Sequence, residues 1–290
     1  VNILVLTDTD LDGAGSALFI KWLYTNKARD IVIIESTEST IKNEFISRQT
    51  TIDHYDKVFV LDLDLSEDII PFVDRDNVVV IDHHLGHASK KHLYTKAKAI
   101  IDPYTSCVGL MQKVFAKGIT LTPKQEELIS YINDYDCYNI KYRDSLKLNV
   151  IFRTFNTPKV LKFVEAFKDG FREYTSMEKN AIKLYLNKFK EQIEQAQLFT
   201  CELKGYTVIS TFADFAINEV AHYLLCKTGA EICIVVNLKA KFVSFRRSKR
   251  SNVDVSILAK KFCEGGGSPA AAGGKLTEEF INLTKIFKPC

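Results

Sequence analysis

Three apolar runs in the first third of the chain each end in aspartate. Asn2-Ile-Leu-Val-Leu-Thr7 leads into Asp8-Thr-Asp10-Leu-Asp12-Gly13, Val58-Phe-Val-Leu61 into Asp62, and Val78-Val-Val-Ile81 into Asp82-His83-His84. The runs read as strands, and in an open parallel α/β sheet the carboxyl ends of the strands line one crevice, where ligands bind. Several carboxylates and an imidazole gathered in one crevice repel one another unless cations sit among them. Oxygen donors with one imidazole suit Mn²⁺ or Mg²⁺ better than the thiolate-rich sites that zinc prefers. Two such ions roughly 3.5–4 Å apart stabilise both the attacking and the leaving oxygen of an in-line displacement at phosphorus.

Other readings of these residues fail on spacing. Asp8-x-Asp10-x-Asp12-Gly13 matches the opening of an EF-hand loop, but a strand precedes it and Phe19 stands where the bidentate Glu belongs. Gly13-Ala-Gly15-Ser-Ala-Leu18 lacks the third glycine of a dinucleotide fingerprint. An apolar run before Asp62 fits a Walker B strand, yet no G-x-x-x-x-G-K-[ST] accompanies it. A single aspartate is as readily a helix cap. Three strand-end clusters with a double histidine are not so explained.

The elements around these residues alternate. Strands at 3–7, 30–35, 58–61 and 78–81 interleave with an apolar helix over Ala14–Tyr24 and a polar one over Thr37–Arg48, which implies a parallel sheet with helices on both faces. From Ser106 to Tyr174 the pattern turns mostly helical, and Ser176–Leu198 repeats apolar residues at steps of three and four in one long amphipathic helix. A second α/β pattern follows: a strand at Tyr206–Ser210, a helix at Ile217–Lys227, a hairpin pair at Glu231–Leu238 and Lys241–Arg246, and a helix at Val255–Phe262. It ends in the run Gly265-Gly-Gly-Ser-Pro-Ala-Ala-Ala-Gly-Gly274. This organises the chain as 1–175, a connector at 176–204, and 205–290.

The 290 residues are 46% hydrophobic and 26% charged, an ordinary globular balance, and no run of 18 apolar residues is present to span a membrane. Seven cysteines with no C-x-x-C pair argue against a disulfide framework or a zinc ribbon and for buried free thiols. With a strand starting at residue 3, no signal peptide is read, and a cytoplasmic protein is expected.

Asp10-Leu-Asp12-Gly13, Asp62 and Asp82-His83-His84, in that order, resemble the motifs of the DHH phosphoesterases. A fourth motif has its counterpart in Tyr131-Ile-Asn-Asp134-Tyr-Asp136-Cys-Tyr138. Val243-Ser-Phe-Arg246, Asp254-Val-Ser256 and the glycine run resemble the associated DHHA1 domain. The resemblance implies a parallel-sheet DHH catalytic domain with a helical extension, joined by the long helix to a smaller α/β DHHA1 domain, with the active site in the cleft between them. It implies a two-manganese site, with Asp8, Asp10 and Asp62 on one ion and Asp12, Asp62, His83 and Asp136 on the other. Asp134 competes with Asp136, which the Tyr-Asp-Cys-Tyr context favours; Asp64 competes less seriously with Asp62. Many members carry histidine where Asp8 stands, which leaves its role open. His84 is expected beside the metals, touching the scissile phosphate or protonating the leaving oxygen. His87 and His92 are expected to be exposed loop residues.

Lys239, Lys241, Arg246, Arg247, Lys249 and Arg250 lie within twelve residues, shortly before the glycine run. Successive N–H groups in such a run can make an anion-binding concavity, and arginine grips phosphate through two donors. Arg246, matching the Ser-x-Arg motif, is the leading substrate ligand, with Gly265, Gly266, Gly267 and Ser268 beside it. Ser268 replaces the histidine of the usual Gly-Gly-Gly-His. The function implied is hydrolysis of short RNA or DNA oligonucleotides to mononucleotides. The alternatives are exonuclease action on longer single-stranded DNA, as in RecJ, or cleavage of cyclic-dinucleotide products or 3′-phosphoadenosine phosphate. The oligomeric state, a homodimer included, is left open.

Overall fold

The first apolar run becomes an interior strand of a sheet, with both of its faces covered. Ile3, Leu4, Val5 and Leu6 of β1 (Asn2–Thr7) are wholly buried, as the strands of a parallel sheet under helices must be. The computed structural model describes residues 1–203, 205–278 and 280, which form two compact units that divide between residues 182 and 183.

In the first unit, β1 is followed by α1 (Leu11–Leu23), β2 (Asp30–Glu35), α2 (Glu38–Ser47), β3 (Lys57–Leu61), α3 (Ile70–Val73), β4 (Val78–Asp82), α4 (Leu85–Ala88) and β5 (Lys98–Ile101). Four helices come next: α5 (Cys107–Phe115), α6 (Pro123–Asp136), α7 (Arg143–Thr154) and α8 (Lys159–Ala166). The strands pair in the order β2-β1-β3-β4-β5, parallel throughout. Alternation along each strand divides the core in two. Ile3, Val5, Phe59, Leu61 and Ile81 face α1 and the later helices, whereas Leu4, Leu6, Val58, Val60, Val78 and Val80 face α2 and α3. Strand β5 carried no sequence signal: its Lys98 is exposed and its run is only four residues long.

Helix α9 (Ser176–Glu194) runs across the division in the chain. The second unit contains β6 (Phe199–Leu203), β7 (Tyr206–Phe212), α10 (Ile217–Thr228), β8 (Ile232–Asn237), β9 (Phe242–Arg247), α11 (Val255–Cys263), β10 (Gly266–Gly267) and β11 (Ala271–Lys275). They form a mixed sheet in the order β10-β11-β9-β8-β7-β6, in which β7 and β8 are parallel and β8 and β9 form the expected antiparallel pair. One face packs Val208, Val243 and Phe245 under α11; the other packs Ile209, Cys233 and Val235 under α10.

The glycine run is not an open loop. Gly266 and Gly267 pair with Gly273 and Ala272 in a tight hairpin. Gly267 sits at φ 134°, and a Cβ on Gly265 would stand 2.0 Å from the Gly273 carbonyl oxygen, so only glycine allows the strands to approach this closely. The thiols also depart in part from expectation. Cys107, Cys233 and Cys263 are buried, but Cys201 and Cys226 are exposed, Cys137 is half-buried, and Cys290 lies outside the described residues. No helix among the described residues is long and apolar enough to cross a membrane.

Helix α1 begins with Asp10 as its cap, whose Oδ1 accepts from Gly13 N at 2.9 Å. The turn into it is so tight that a Cβ on Gly13 would lie 2.4 Å from the Asp8 carbonyl oxygen. Gly13→Ala should therefore cost about 1–3 kcal/mol in urea unfolding. An unchanged midpoint would show that the turn can widen.

Candidate metal centre

Register brings the aspartates together. Thr7 lies beside Leu61, and Leu61 beside Ile81, so Asp8, Asp62 and Asp82 stand at one edge of the sheet. Asp8 N donates to Leu61 O and Asp62 N to Ile81 O. In this strand order the connections diverge at β1 and β3, and ligands of such sheets bind at that switch. Asp62 turns sharply off its strand at φ 59°, a conformation that costs a non-glycine residue about 1–3 kcal/mol and that functional sites often hold.

The helices complete the set. Asp12 is wholly buried in the first turn of α1, and its Oδ2 and Oδ1 accept from Cys107 N (2.6 Å) and Val108 N (3.0 Å). These are the first N–H groups of α5, and a helix N-terminus favours negative charge. Asn133 of α6 locks that terminus, its Oδ1 accepting from Thr105 Oγ1 (2.9 Å) and Ser106 N (3.0 Å). Asp136 falls four residues after Ile132 and seven after Ile129, both core residues, so helical periodicity turns it inward at the end of α6.

These side chains converge on one nitrogen. His83 Nε2 lies 3.2 Å from Asp62 Oδ1, 3.5 Å from Asp136 Oδ2 and 3.7 Å from Asp12 Oδ2. Asp62 Oδ1 and Asp136 Oδ2 are buried with no hydrogen-bond partner among the described residues. Leaving buried carboxylate oxygens unmatched is costly, and a divalent cation is the partner that such a donor set suits. Groups of Asp12, His83 and Asp136, and of Asp62, His83 and His84, each bring one ligand atom per residue within 4.8 Å of the others.

The electrostatics agree. Burial first, then neighbouring aspartates, raise the Asp12 carboxyl to about 7 and push Asp62 and Asp136 well up. Burial and Asp10 raise Asp8, which is half-buried, to about 6. His83 is pulled down by burial and by His84, which favours the neutral imidazole that a metal needs. Burial opposes ionisation of Asp82, but hydrogen bonds from His84 and His87 hold its carboxyl well below the usual range. Crowding by protein lowers His84, and the bond and charge of Asp82 overcome this and raise it to about 9.

The remaining expected site residues sort by geometry. Asp134 is spent on structure: its carboxylate accepts from Lys141 N, Tyr142 N and Ser145 Oγ, the last at 2.6 Å, and so ties down the start of α7. Asp64 pairs with Lys90 at 2.6 Å, whereas Asp62 joins the cluster. His92 is exposed, but His87 is not: it is wholly buried, because Asp82 and Tyr94 satisfy both of its ring nitrogens. In the second unit, Arg246 lies on β9 between Cys233 and Ala271, and together with Lys249 it helps burial lower His222. Gly265 N donates to Ala259 O and Ser268 N to Ala271 O, so these two N–H groups are engaged within the unit. Ser268 is exposed in the hairpin turn. Sequence reasoning missed the N-terminus of α5 and the bracing of Asp82, since both depend on partners distant in the chain.

Residues 2–135 match the DHH family, N-terminal domain. The chain thus carries a DHH-family N-terminal domain over residues 2–135. No curated protein sequence matches the chain. Solved structures of low identity share the fold over 98% of the chain. The pGpG-specific phosphodiesterase PggH from Vibrio cholerae has 15% identity and a TM-score of 0.60 over 98% of this chain and 96% of its own. An exopolyphosphatase-related protein from Bacteroides fragilis has 15% identity and a TM-score of 0.56 over 98% and 90%. Manganese-bound RecJ from Thermus thermophilus has 13% identity and a TM-score of 0.57 over 98% of this chain and 51% of the longer RecJ chain.

With their pKa values raised, the folded, metal-free DHH domain holds protons that the unfolded chain has already released. Its stability therefore falls as pH rises from the unfolded aspartate value through about 7. The melting temperature without metal should drop between about pH 5 and about pH 8, and Mn²⁺ should restore it at the upper end. A melting temperature that rises with pH would contradict the cluster. Asp134→Ala should lower stability by about 3 kcal/mol or more, with Mn²⁺ affinity of the folded fraction kept. Asp136→Asn should do the reverse, as calorimetric titration with Mn²⁺ would read.

Proposed function

We propose that the chain is a divalent-metal phosphodiesterase that hydrolyses short single-stranded oligonucleotides to mononucleotides. The observation that carries this reading is the convergence of Asp12, Asp62 and Asp136 on His83, with two buried carboxylate oxygens left without hydrogen bonds. Asp8, Asp10 and Asp62 would hold one ion, and Asp12, Asp62, His83 and Asp136 a second, with Mn²⁺ preferred and Mg²⁺ the alternative. Bound there, the ions supply the positive charge that stabilises the attacking and leaving oxygens of an in-line displacement at phosphorus.

The protein's part is rigidity and proton transfer. Asp12 is held through both oxygens by the α5 N-terminus, so the donor set keeps its shape before substrate arrives. His84 is held through Nδ1 by Asp82 and keeps 44% of its side-chain surface open. Its other ring nitrogen is thus available to protonate the leaving oxygen. Arg246 is the proposed ligand of a substrate phosphate, and the cations at Lys239, Lys241, Arg247, Lys249 and Arg250 attract the polyanion. PggH, named for a linear dinucleotide, matches the chain almost end to end, which supports a short substrate.

Incubation with Mn²⁺ and labelled RNA and DNA ladders, from dinucleotides to long single strands, tests the reading. Rapid turnover confined to the shortest species is expected, and Asp62→Ala should reduce it to background while the protein stays folded. Equal or faster attack on long strands would replace this reading with a RecJ-like exonuclease. Undiminished Mn²⁺-dependent turnover in Asp62→Ala would remove the metal assignment.

A further inference from the structure

The connection between β4 and β5 buries a histidine that the metal cluster does not use. His87 is wholly buried, with Nδ1 2.7 Å from Asp82 Oδ2 and Nε2 2.7 Å from Tyr94 Oη. The other Asp82 oxygen, Oδ1, lies 2.8 Å from His84 Nδ1. An ionised carboxylate only accepts, so both imidazoles turn an Nδ1–H toward Asp82, and the phenol of Tyr94 can donate to the nitrogen that His87 has left. A carboxylate held at one oxygen can still rotate; held at both, it cannot. The far end of this string is tied as well. Thr95 N, Thr95 Oγ1, Lys96 N and Ala97 N all donate to the Asp74 carboxylate, which fixes the residues directly after Tyr94. Continuous bonding therefore runs from Asp74 through residues 95–97, Tyr94, His87 and Asp82 to His84. Packing alone does not call for an imidazole here, since an apolar side chain fills buried space without needing two polar partners.

We propose that His87 and Tyr94 are positioning residues that lock the Asp82 carboxylate and, through it, the ring of His84. The inference rests on the proton-donor role given to His84 above. It extends that role to two residues, one of them eleven positions beyond His83, that touch neither metal nor substrate.

The test compares wild type, His87→Leu, His87→Asn and Tyr94→Phe in two assays. One is Mn²⁺-dependent hydrolysis of a dinucleotide; the other is side-chain ¹⁵N spectroscopy of the histidines in metal-free protein. His87→Leu should lower kcat about 10–100-fold, the range typical of losing a partner that orients an active group, while KM stays within about twofold. In the same variant the Nδ1–H signal of His84 should weaken as its bond to the freed Asp82 carboxylate loosens and the N–H exchanges with water. Asparagine places an amide N–H near the position of Nδ1, so His87→Asn should recover most of kcat and the His84 signal. Tyr94→Phe, which removes one hydroxyl, should move both readouts in the same direction by less, and it carries the test if His87→Leu does not fold. A folded His87→Leu or Tyr94→Phe protein with wild-type kcat and an unaltered His84 signal would overturn the proposal, as would failure of asparagine to rescue. A wild-type protein inactive on the dinucleotide would instead overturn the proposed function and leave the spectroscopic comparison to decide the string.

Discussion

Repulsion among buried carboxylates is the constraint around which the first unit is built. Asp12, Asp62 and Asp136 share a space with little water and one imidazole, and each resists ionisation there. A chain free to relax would turn these side chains outward. The fold prevents it by giving each a separate anchor: Asp62 a sheet hydrogen bond and a left-handed turn, Asp12 the N-terminus of α5, and Asp136 the inward face of α6. On the proposed reading, a divalent cation bound there would relieve this repulsion, since it would convert each repulsive pair into a shared attraction.

The anchors reinforce one another through residues that touch no ligand. Asn133 joins α6 to the start of α5, so the helix carrying Asp136 also fixes the N–H groups that hold Asp12. Asp134, one position on, secures the following loop and the first turn of α7. Three neighbouring polar residues on α6 thus have three tasks, and only Asp136 is directed to the cluster. The same division occurs in Asp82-His83-His84, where His83 meets the carboxylates while Asp82 braces the imidazoles on either side.

The second unit shows how one composition supports two geometries. A glycine-rich run beside cations reads equally well as a phosphate-cradling loop or as closely packed strands. Here backbone pairing took the glycines into a hairpin, because Gly265 and Gly267 let β10 and β11 approach within distances that no side chain permits. Arg246 keeps its place on the neighbouring strand, paired with Cys233 and Ala271.

Much of this protein was legible from one-dimensional pattern. Alternating apolar strands ending in aspartate, with helices between them, specify a parallel sheet and put Asp8, Asp62 and Asp82 at its carboxyl edge, since strand register follows from local hydrophobicity. Asp136 is preferred over Asp134 from its Tyr-Asp-Cys-Tyr context, a resemblance rather than a period, since both fall on the last turns of α6. What pattern could not decide was which polar residue spends its charge on which partner. Asp134 and Asp136 differ only in what the loop at 141–145 and His83 bring to them, and His87 is buried only because Asp82 and Tyr94 meet its two nitrogens. Hydrogen bonds and desolvation act between residues tens of positions apart, so they take effect only once the chain has folded.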